Sequence, residues 1–322
     1  MTILGETKLD ESVRRGVIAI GNFDGVHRGH QAMIGVLRRE ADRRETHAVA
    51  VTFDPPPVEI LRPGQAPPRL TTLGDKQALL KAAGADLVLV IPTTRELLSL
   101  SATDFFQQVL QTELEIRGLV EGPNFRFGRG REGDIVLLRR LADDAGLSLA
   151  IVEPVEHDAG LVSSSRIRDL VARGSLVEAS LMLGRPHRVR GTVERGAGRG
   201  AGLGFPTANL AGIEVLLPPE GVYAGRVPIG DEIFAAAIHL GPNRTFGEAN
   251  SKLEVHVMDF AGDLYGQSLC VELIDQVRPT MTFAGSEALV SQMHADCARV
   301  RELLAVWERG GGEEGETGRQ SE

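Results

Sequence analysis

The chain has 322 residues, room for about two domains, and its 42% hydrophobic and 25% charged content is that of a soluble globular protein. No run approaches the ~18 apolar residues that a membrane span requires, and a formal charge of −9 argues against non-specific nucleic-acid or anionic-membrane binding, which leans on basic surface. Only Cys270 and Cys297 occur, without disulfide or metal-ligand spacing, and Met1–Arg15 lacks an apolar signal region, so a cytoplasmic protein is expected.

Along the first half, short apolar runs alternate with helical patterns. Strands are expected at Val17–Ile20, Ala48–Phe53, Leu87–Ile91, Gly118–Glu121 and Leu149–Val152, and helices at Gln31–Arg43, Lys76–Ala83, Thr103–Leu114 and Ile135–Ala145. That alternation reads as βαβ units and a parallel sheet, with ligands at the carboxyl ends of the strands. The run Gly21–His30 (GNFDGVHRGH) falls just past the first strand and opens a helix. Unsatisfied amides and the positive dipole end of that helix favour polyphosphate. His27 and His30 are three apart and can share one side of the first turn.

After Arg173-Gly174 the character changes. Strand-like runs follow one another at Arg188–Glu194, Val222–Pro228, Ile233–His239, Leu253–Phe260 and Ser268–Asp275, with Gly230-Asp231-Glu232 suited to a hairpin turn. Strands without intervening helices predict an antiparallel sheet or small barrel. A terminal helix is expected over about Ser286–Glu308, from the spacing of Leu289, Met293, Ala298 and Leu303–Leu304, and the Gly/Glu-rich tail Gly310–Glu322 is expected to be disordered. The domain boundary is placed near Gly184.

Position by position, Gly21–His30 resembles the HxGH signature of the nucleotidyltransferases, in the longer form found in bacterial bifunctional riboflavin kinase/FAD synthetases. Thr52–Pro55, Gly122–Gly128 (GPNFRFG), Ser163–Arg168 (SSSRIR) and Leu183–Pro186 (LGRP) resemble further segments of that family. The resemblance implies a Rossmann-like N-terminal domain that adenylylates FMN to FAD and releases pyrophosphate. It implies nucleotide-binding roles for Gly21, Phe23, Gly25, His27, His30, Asn124, Ser163, Ser164, Arg166 and Arg168, with the two histidines also catalytic. Ser163–Ser165 read equally as a helix cap. Arg126, Arg129 and Arg131 read as a solvated basic loop and Phe125 and Phe127 as core, with direct ligand contact the alternative for all five. Two departures stand out: the family's FDPHP reads Phe53-Asp54-Pro55-Pro56-Pro57, and Ser165 replaces threonine in SSTxIR.

Arg195–Gly204 is glycine-rich, and Gly196–Ala201 fits the loose dinucleotide pattern GxGxxA. No helix follows it, which excludes that reading. Gly202–Leu210 (GLGFPTANL) instead resembles the LGFPTAN signature of riboflavin kinases. By that resemblance Gly202, Gly204, Thr207 and Asn209 bind nucleotide, and Thr207 and Asn209 also hold Mg²⁺. Leu253–Phe260 (LEVHVMDF) resembles the strand bearing the catalytic carboxylate, which maps to Glu254; alternation alone leaves Glu254 facing a cleft or solvent. The family's NIGxRPTF reads His239–Phe246, with the proline moved to Pro242. The expected whole is a two-headed enzyme of flavin cofactor synthesis. Its partners are riboflavin, FMN and ATP, not nucleic acid or membrane, and a homo-oligomer is left open. Two rivals remain: an adenylyltransferase for another phosphorylated compound, and a flavin-binding module without turnover.

Overall fold

The computed structural model describes residues 13–158, 160–196, 199–242 and 252–316. Residues 243–246 of the altered loop and the tail beyond 316 lie outside the described residues. The chain separates into two compact units, Met1–Ser164 and Ser165–Glu322.

The first unit is a five-stranded parallel sheet with helices on both faces. Its strands are β1 (Val17–Ile20), β2 (Ala48–Asp54), β3 (Leu87–Pro92), β4 (Gly118–Glu121) and β5 (Ser148–Ile151), in the order β3-β2-β1-β4-β5. The apolar runs predicted as strands form this sheet because it is buried on both sides. Alternation then sorts the side chains. Ile18, Ile20, Val49 and Val51 face one core, while Val17, Ala19, Ala48 and Ala50 face the other. Helices α1 (Arg28–Asp42), α2 (Pro57–Leu61), α3 (Leu73–Ala82), α4 (Arg95–Ser99), α5 (Ala102–Asp104) and α6 (Ile135–Asp144) complete the layers. Strand order reverses between β1 and β4, the switch point where ligands bind in such sheets.

Helix Thr103–Leu114 forms differently from the expectation. α5 runs into a π-helix, Phe105–Glu113, because the fully buried pairs Phe105/Leu110 and Val109/Leu114 are five residues apart and face one core. The amide of Leu114 accordingly donates to the Val109 carbonyl at 3.0 Å, the wider ring of a π-turn.

A small hairpin, β6 (Glu156–His157) and β7 (Gly160–Leu161), precedes α7 (Ser164–Arg173) and α8 (Leu176–Leu183). The second unit then closes a six-stranded antiparallel barrel in the order β10-β11-β12-β9-β8-β13. Its strands are β8 (His187–Glu194), β9 (Ala208–Ala211), β10 (Gly221–Ile229), β11 (Glu232–Gly241), β12 (Lys252–Val257) and β13 (Ser268–Arg278), with a single helical turn, α9 (Arg199–Gly202), before β9. Gly230 takes φ 59° in the two-residue turn that joins β10 to β11, the positive φ such hairpins need. β9 was not anticipated. Four residues cannot show an alternating pattern, and pairing with β8 and β12 decides their conformation.

Helix α10 (Ser286–Glu316) covers the barrel. Its buried stripe is Cys297, Val300 and Leu304, packed with Phe205, Ala224, Met258 and Ile274; Ala298, expected in the stripe, is exposed. The Arg278 guanidinium grips the buried Asp296 carboxylate through Nε and Nη2 at 2.8–3.1 Å and ties α10 to β13. The helix continues past the expected end at Glu308, because each residue added to a formed helix closes one more hydrogen bond. Helical structure thus replaces the disorder expected for residues 310–316. The division of the chain falls ahead of the boundary expected at Gly184, because α8 packs on β8 and β13.

At the switch point the β1–β4 ladder stops at Ile18 and Leu119 although both strands continue. The Glu121 carboxyl fills the gap and accepts the Ile20 amide at 2.8 Å. Glu121 is 1% exposed, and burial pushes its pKa well above the usual carboxylate range against the opposing pull of the Ile20 amide. A raised folded-state pKa means the native state binds the extra proton, so stability falls as pH rises from the unfolded pKa through the folded one. Glu121→Gln keeps the acceptor and removes the titration. Thermal melts should show it more stable than wild type at pH 7–8, with the gain shrinking toward pH 4; no gain at either pH would contradict a neutral buried carboxyl.

Candidate active sites

The loop after β1 is a strained turn at the mouth of a helix. Phe23, Gly25 and Val26 have φ of 46°, 83° and 40°, and a buried β-branched residue at positive φ is a rarity kept only where packing over-determines it. The buried Asp24 carboxylate accepts the amides of Leu70 and Thr71 at 3.0–3.2 Å and the Thr71 hydroxyl at 3.3 Å. The Gly25 amide donates to Thr71 Oγ1 at 3.2 Å. This clasp fastens the loop to the segment that starts α3.

His27 caps α1: its Nδ1 accepts the His30 amide at 3.3 Å. The two imidazoles stack, with ring centroids 3.6 Å apart and planes at 16°, and Phe23 packs edge-on to His30 at 5.2 Å. Gly29 is what lets them meet, since a Cβ there would stand 3.2 Å from His27 Cε1 and Nδ1. Gly21 has a related need; its Cβ would lie 3.2 Å from the Phe23 ring. Burial, then the His27 and Lys76 charges, holds the His30 pKa well below that of a free imidazole, so the ring is neutral at physiological pH. His30 Nδ1 is buried without a hydrogen-bond partner among the described residues. The helix start carries no acidic residue, and amides with N–H-bearing rings at a positive dipole end suit phosphate oxygens.

Asn124 is exposed three residues beyond β4, at the strand next to β1. Phe127 is buried and stacks with Phe125 at 5.6 Å in the sheet core, while Arg126, Arg129 and Arg131 are exposed; of the readings left open, core and solvated loop describe them. The Ser164 hydroxyl donates to the Asp24 carbonyl at 2.8 Å, so it fastens the start of α7 to the same loop. Ser163 directly precedes α7, and Arg166 and Arg168 lie in its first turns. Asp54 of the Thr52–Pro55 turn, with Glu59, is taken by Arg69 at 2.9–3.1 Å. The sequence reading passed over Lys76, which lies 5% exposed on α3.

In the barrel unit, register brings the second set together. Asn209 on β9 is paired with Glu254 on β12, and Glu254 with His239 on β11, so the three share one face. His239 Nδ1 stands 3.8 Å from Glu254 Oε2. Its pKa is lowered by burial and then by Arg278, against the pull of Glu220. Thr207 immediately precedes β9 and lines a cleft of about 190 Å³ with Val193, Val255, Phe260, Leu264 and Tyr265. The glycine tract lies over these residues. A Cβ at Gly196 would collide with the Asn209 carboxamide, and one at Gly200 with the Phe205 carbonyl, 3.2 Å from Thr207 Oγ1. Gly202 and Gly204 have open space around them, and Gly204 supplies a turn at φ 86°. Phe205 anchors the segment between the His256 and His294 rings at 5.3 and 4.9 Å, and the Pro206 carbonyl meets His256 Nδ1 at 2.8 Å. His239 and the Leu264-Tyr265 wall had no signal beyond family likeness.

Two places suited to phosphate, on unrelated folds in one chain, define a nucleotide-dependent transferase with two reactions. Residues 9–166 match the FAD synthetase family and residues 183–304 the riboflavin kinase family. The chain is 34% identical over 306 residues to the bifunctional riboflavin kinase/FMN adenylyltransferase of Escherichia coli K12, covering 94% of this chain and 98% of that one. It is 38% identical over 293 residues to the protein of that name in Pseudomonas fluorescens, covering 90% and 94%. A crystal structure described as that of a macrolide-efflux protein from Streptococcus pneumoniae is 30% identical, with a TM-score of 0.80 over 89% of this chain and 94% of that one. Among the described residues no helix is long and apolar enough to cross a membrane. This chain belongs to the family of bifunctional riboflavin kinase/FMN adenylyltransferases.

The glycine contacts make separable predictions, because a reacting group displaced by about 1 Å loses on the order of 10²-fold in rate. Gly29→Ala should slow FAD formation from FMN by that order and leave FMN formation unchanged. Gly200→Ala should do the opposite. Rates of each product by chromatography check both, and equal losses in one variant would contradict the steric account.

Proposed function

We propose that the barrel unit transfers the γ-phosphoryl group of ATP to the ribityl 5′-hydroxyl of riboflavin, giving FMN and ADP. The α/β unit then transfers the adenylyl group of another ATP to FMN, giving FAD and pyrophosphate. The observation that carries this reading is the pairing of the His27/His30 helix mouth with the Thr207–Asn209–Glu254 row in one chain. Residues through Gly184 are assigned to adenylyl transfer and 185–308 to the kinase. The FAD synthetase match reaching Arg166 and the riboflavin kinase match beginning at Leu183 support that boundary.

In the kinase the nucleophile is a neutral alcohol. Glu254 takes its proton as the oxygen bonds the γ-phosphorus and the bond to the ADP oxygen breaks. Thr207 Oγ1 and the Asn209 carboxamide oxygen are hard donors of the kind Mg²⁺ takes and would hold it together with the nucleotide phosphates. Bound there, Mg²⁺ neutralises phosphate charge. The glycine tract carrying Gly202 and Gly204 brings backbone close to the phosphates.

In the adenylyltransferase the nucleophile is a phosphate oxygen of FMN. It attacks the α-phosphorus of ATP, and the bond to the pyrophosphate oxygen breaks. Gly21, Phe23 and Gly25 shape the loop, and His27 and His30 donate N–H bonds to phosphate oxygens as charge builds. Asn124 orients the substrate. Ser163 and Ser164 fix the start of α7, and Arg166 and Arg168 hold the departing pyrophosphate, an anion that guanidinium binds in a fork.

Incubation of the chain with riboflavin, ATP and Mg²⁺ should yield FMN and then FAD, and chelation by EDTA should stop FMN formation. Thr207→Ala or Glu254→Ala should cut FMN formation by on the order of 10²-fold or more while sparing FAD formation from supplied FMN; His30→Ala should do the reverse. Loss of both activities in a folded variant would overturn the assignment of sites.

A further inference from the structure

Lys76 is a buried cation without a side-chain partner among the described residues. It is 5% exposed, and among the described residues its ammonium forms no ion pair or hydrogen bond with any side chain. An ammonium so largely covered and without a protein partner carries a desolvation cost, which a fold retains where the charge has another task. The carboxylates around it are occupied. Asp54 and Glu59 are held by Arg69, and Asp24 accepts the Leu70 and Thr71 amides and the Thr71 hydroxyl.

The placement is rigid. The Asp24 clasp joins the β1–α1 loop to residues 70–71, the Thr72 side chain caps α3 by accepting the Asp75 amide at 3.1 Å, and Lys76 follows at the fourth helical position. Lys76 is thereby fixed beside the loop that carries His27 and His30, and the ammonium and the His30 ring feel each other's charge. The electrostatic surroundings comprise Asp24, Asp54 and Glu59, which favour the ammonium, and Arg69, which disfavours it; burial outweighs them and lowers its pKa below that of an ordinary lysine.

We infer that Lys76 is a further catalytic residue of adenylyl transfer, its ammonium bonding an oxygen on the α-phosphorus of ATP as the FMN phosphate attacks. The role rests on the adenylyltransferase reading above. His27 and His30 contribute polar N–H bonds, and Lys76 adds a full positive charge that the neutral His30 ring does not carry. Charge that builds at the reacting phosphorus is stabilised most by a fixed cation in a dry site. The bonds that form and break are those of the reaction already given, and Lys76 keeps its proton throughout.

The test replaces the ammonium with a similar apolar chain. Lys76→Met should lower kcat for FAD formation by on the order of 10²–10³-fold with KM for ATP and FMN little changed, while FMN formation by the same molecule stays within about two-fold. Lys76→Arg, whose charge does not titrate, should recover about ten-fold of the lost rate. In wild type kcat/KM for ATP should decline as alkaline pH removes the ammonium proton, at a lower pH than ordinary lysines titrate; in Lys76→Arg that decline should vanish. FAD formation within about three-fold of wild type in Lys76→Met would overturn the inference. So would loss of both activities without recovery in Lys76→Arg, which marks a packing role. A wild-type chain that makes no FAD would instead sink the adenylyltransferase reading on which it rests.

Discussion

The N-terminal site depends on one buried carboxylate that carries no chemistry of its own. Asp24 accepts the Leu70 and Thr71 amides and the Thr71 hydroxyl, and its backbone carbonyl accepts the Ser164 hydroxyl. Two remote segments thus converge on a single turn residue. The turn itself is strained at Phe23 and Val26, and such backbone relaxes unless its surroundings hold it. Charge-assisted bonds to amides are among the stronger ones a protein makes, and Asp24 spends its bonds holding that turn open at the mouth of α1. The stacked histidines, the glycine that makes room for them and the buried lysine on α3 all take their positions from it.

Much of the fold could be read from the chain because the two units use the strongest local signals. Strands β1 to β5 and most barrel strands came from apolar runs and alternation, and both β1 and β4 begin and end where expected. What escaped notice was short or decided by distant contacts. β9 has four residues and exists through its neighbours β8 and β12. The π-helix at Phe105–Glu113 depends on a five-residue spacing that mimics ordinary helical periodicity. The division between units follows the packing of α8 on β8 and β13, which no local composition announces.

Site residues divide in the same way. Those in dense motifs are placed together by the structure: His27 with His30 through Gly29, and Thr207 and Asn209 beneath the glycine tract with Glu254 as a register partner. The residues that were missed are single side chains whose meaning is spatial. His239 matters because β11 pairs with β12 at Glu254. Lys76 carries no motif, and its place follows from the clasp at Asp24, which fixes where its helix begins. Gly196 and Gly200, in turn, leave room that a Cβ would take from Asn209 and Thr207, whereas the motif's own Gly202 and Gly204 face open space.

The two sites differ as their nucleophiles require. A phosphate monoester arrives already ionised, so adenylyl transfer asks for no base; it asks for donors and cations around a crowded set of anionic oxygens. The N-terminal carboxylates Asp24, Asp54 and Glu59 are engaged in hydrogen bonds that hold the fold, as a reaction without a general base allows. Phosphorylation of an alcohol begins from a neutral oxygen whose proton must go somewhere. There the barrel offers Glu254 in register with Asn209 and beside His239, whose burial-lowered pKa keeps the ring neutral near physiological pH. One reaction calls for a base and the other does not, which is a physical reason for two separate sites.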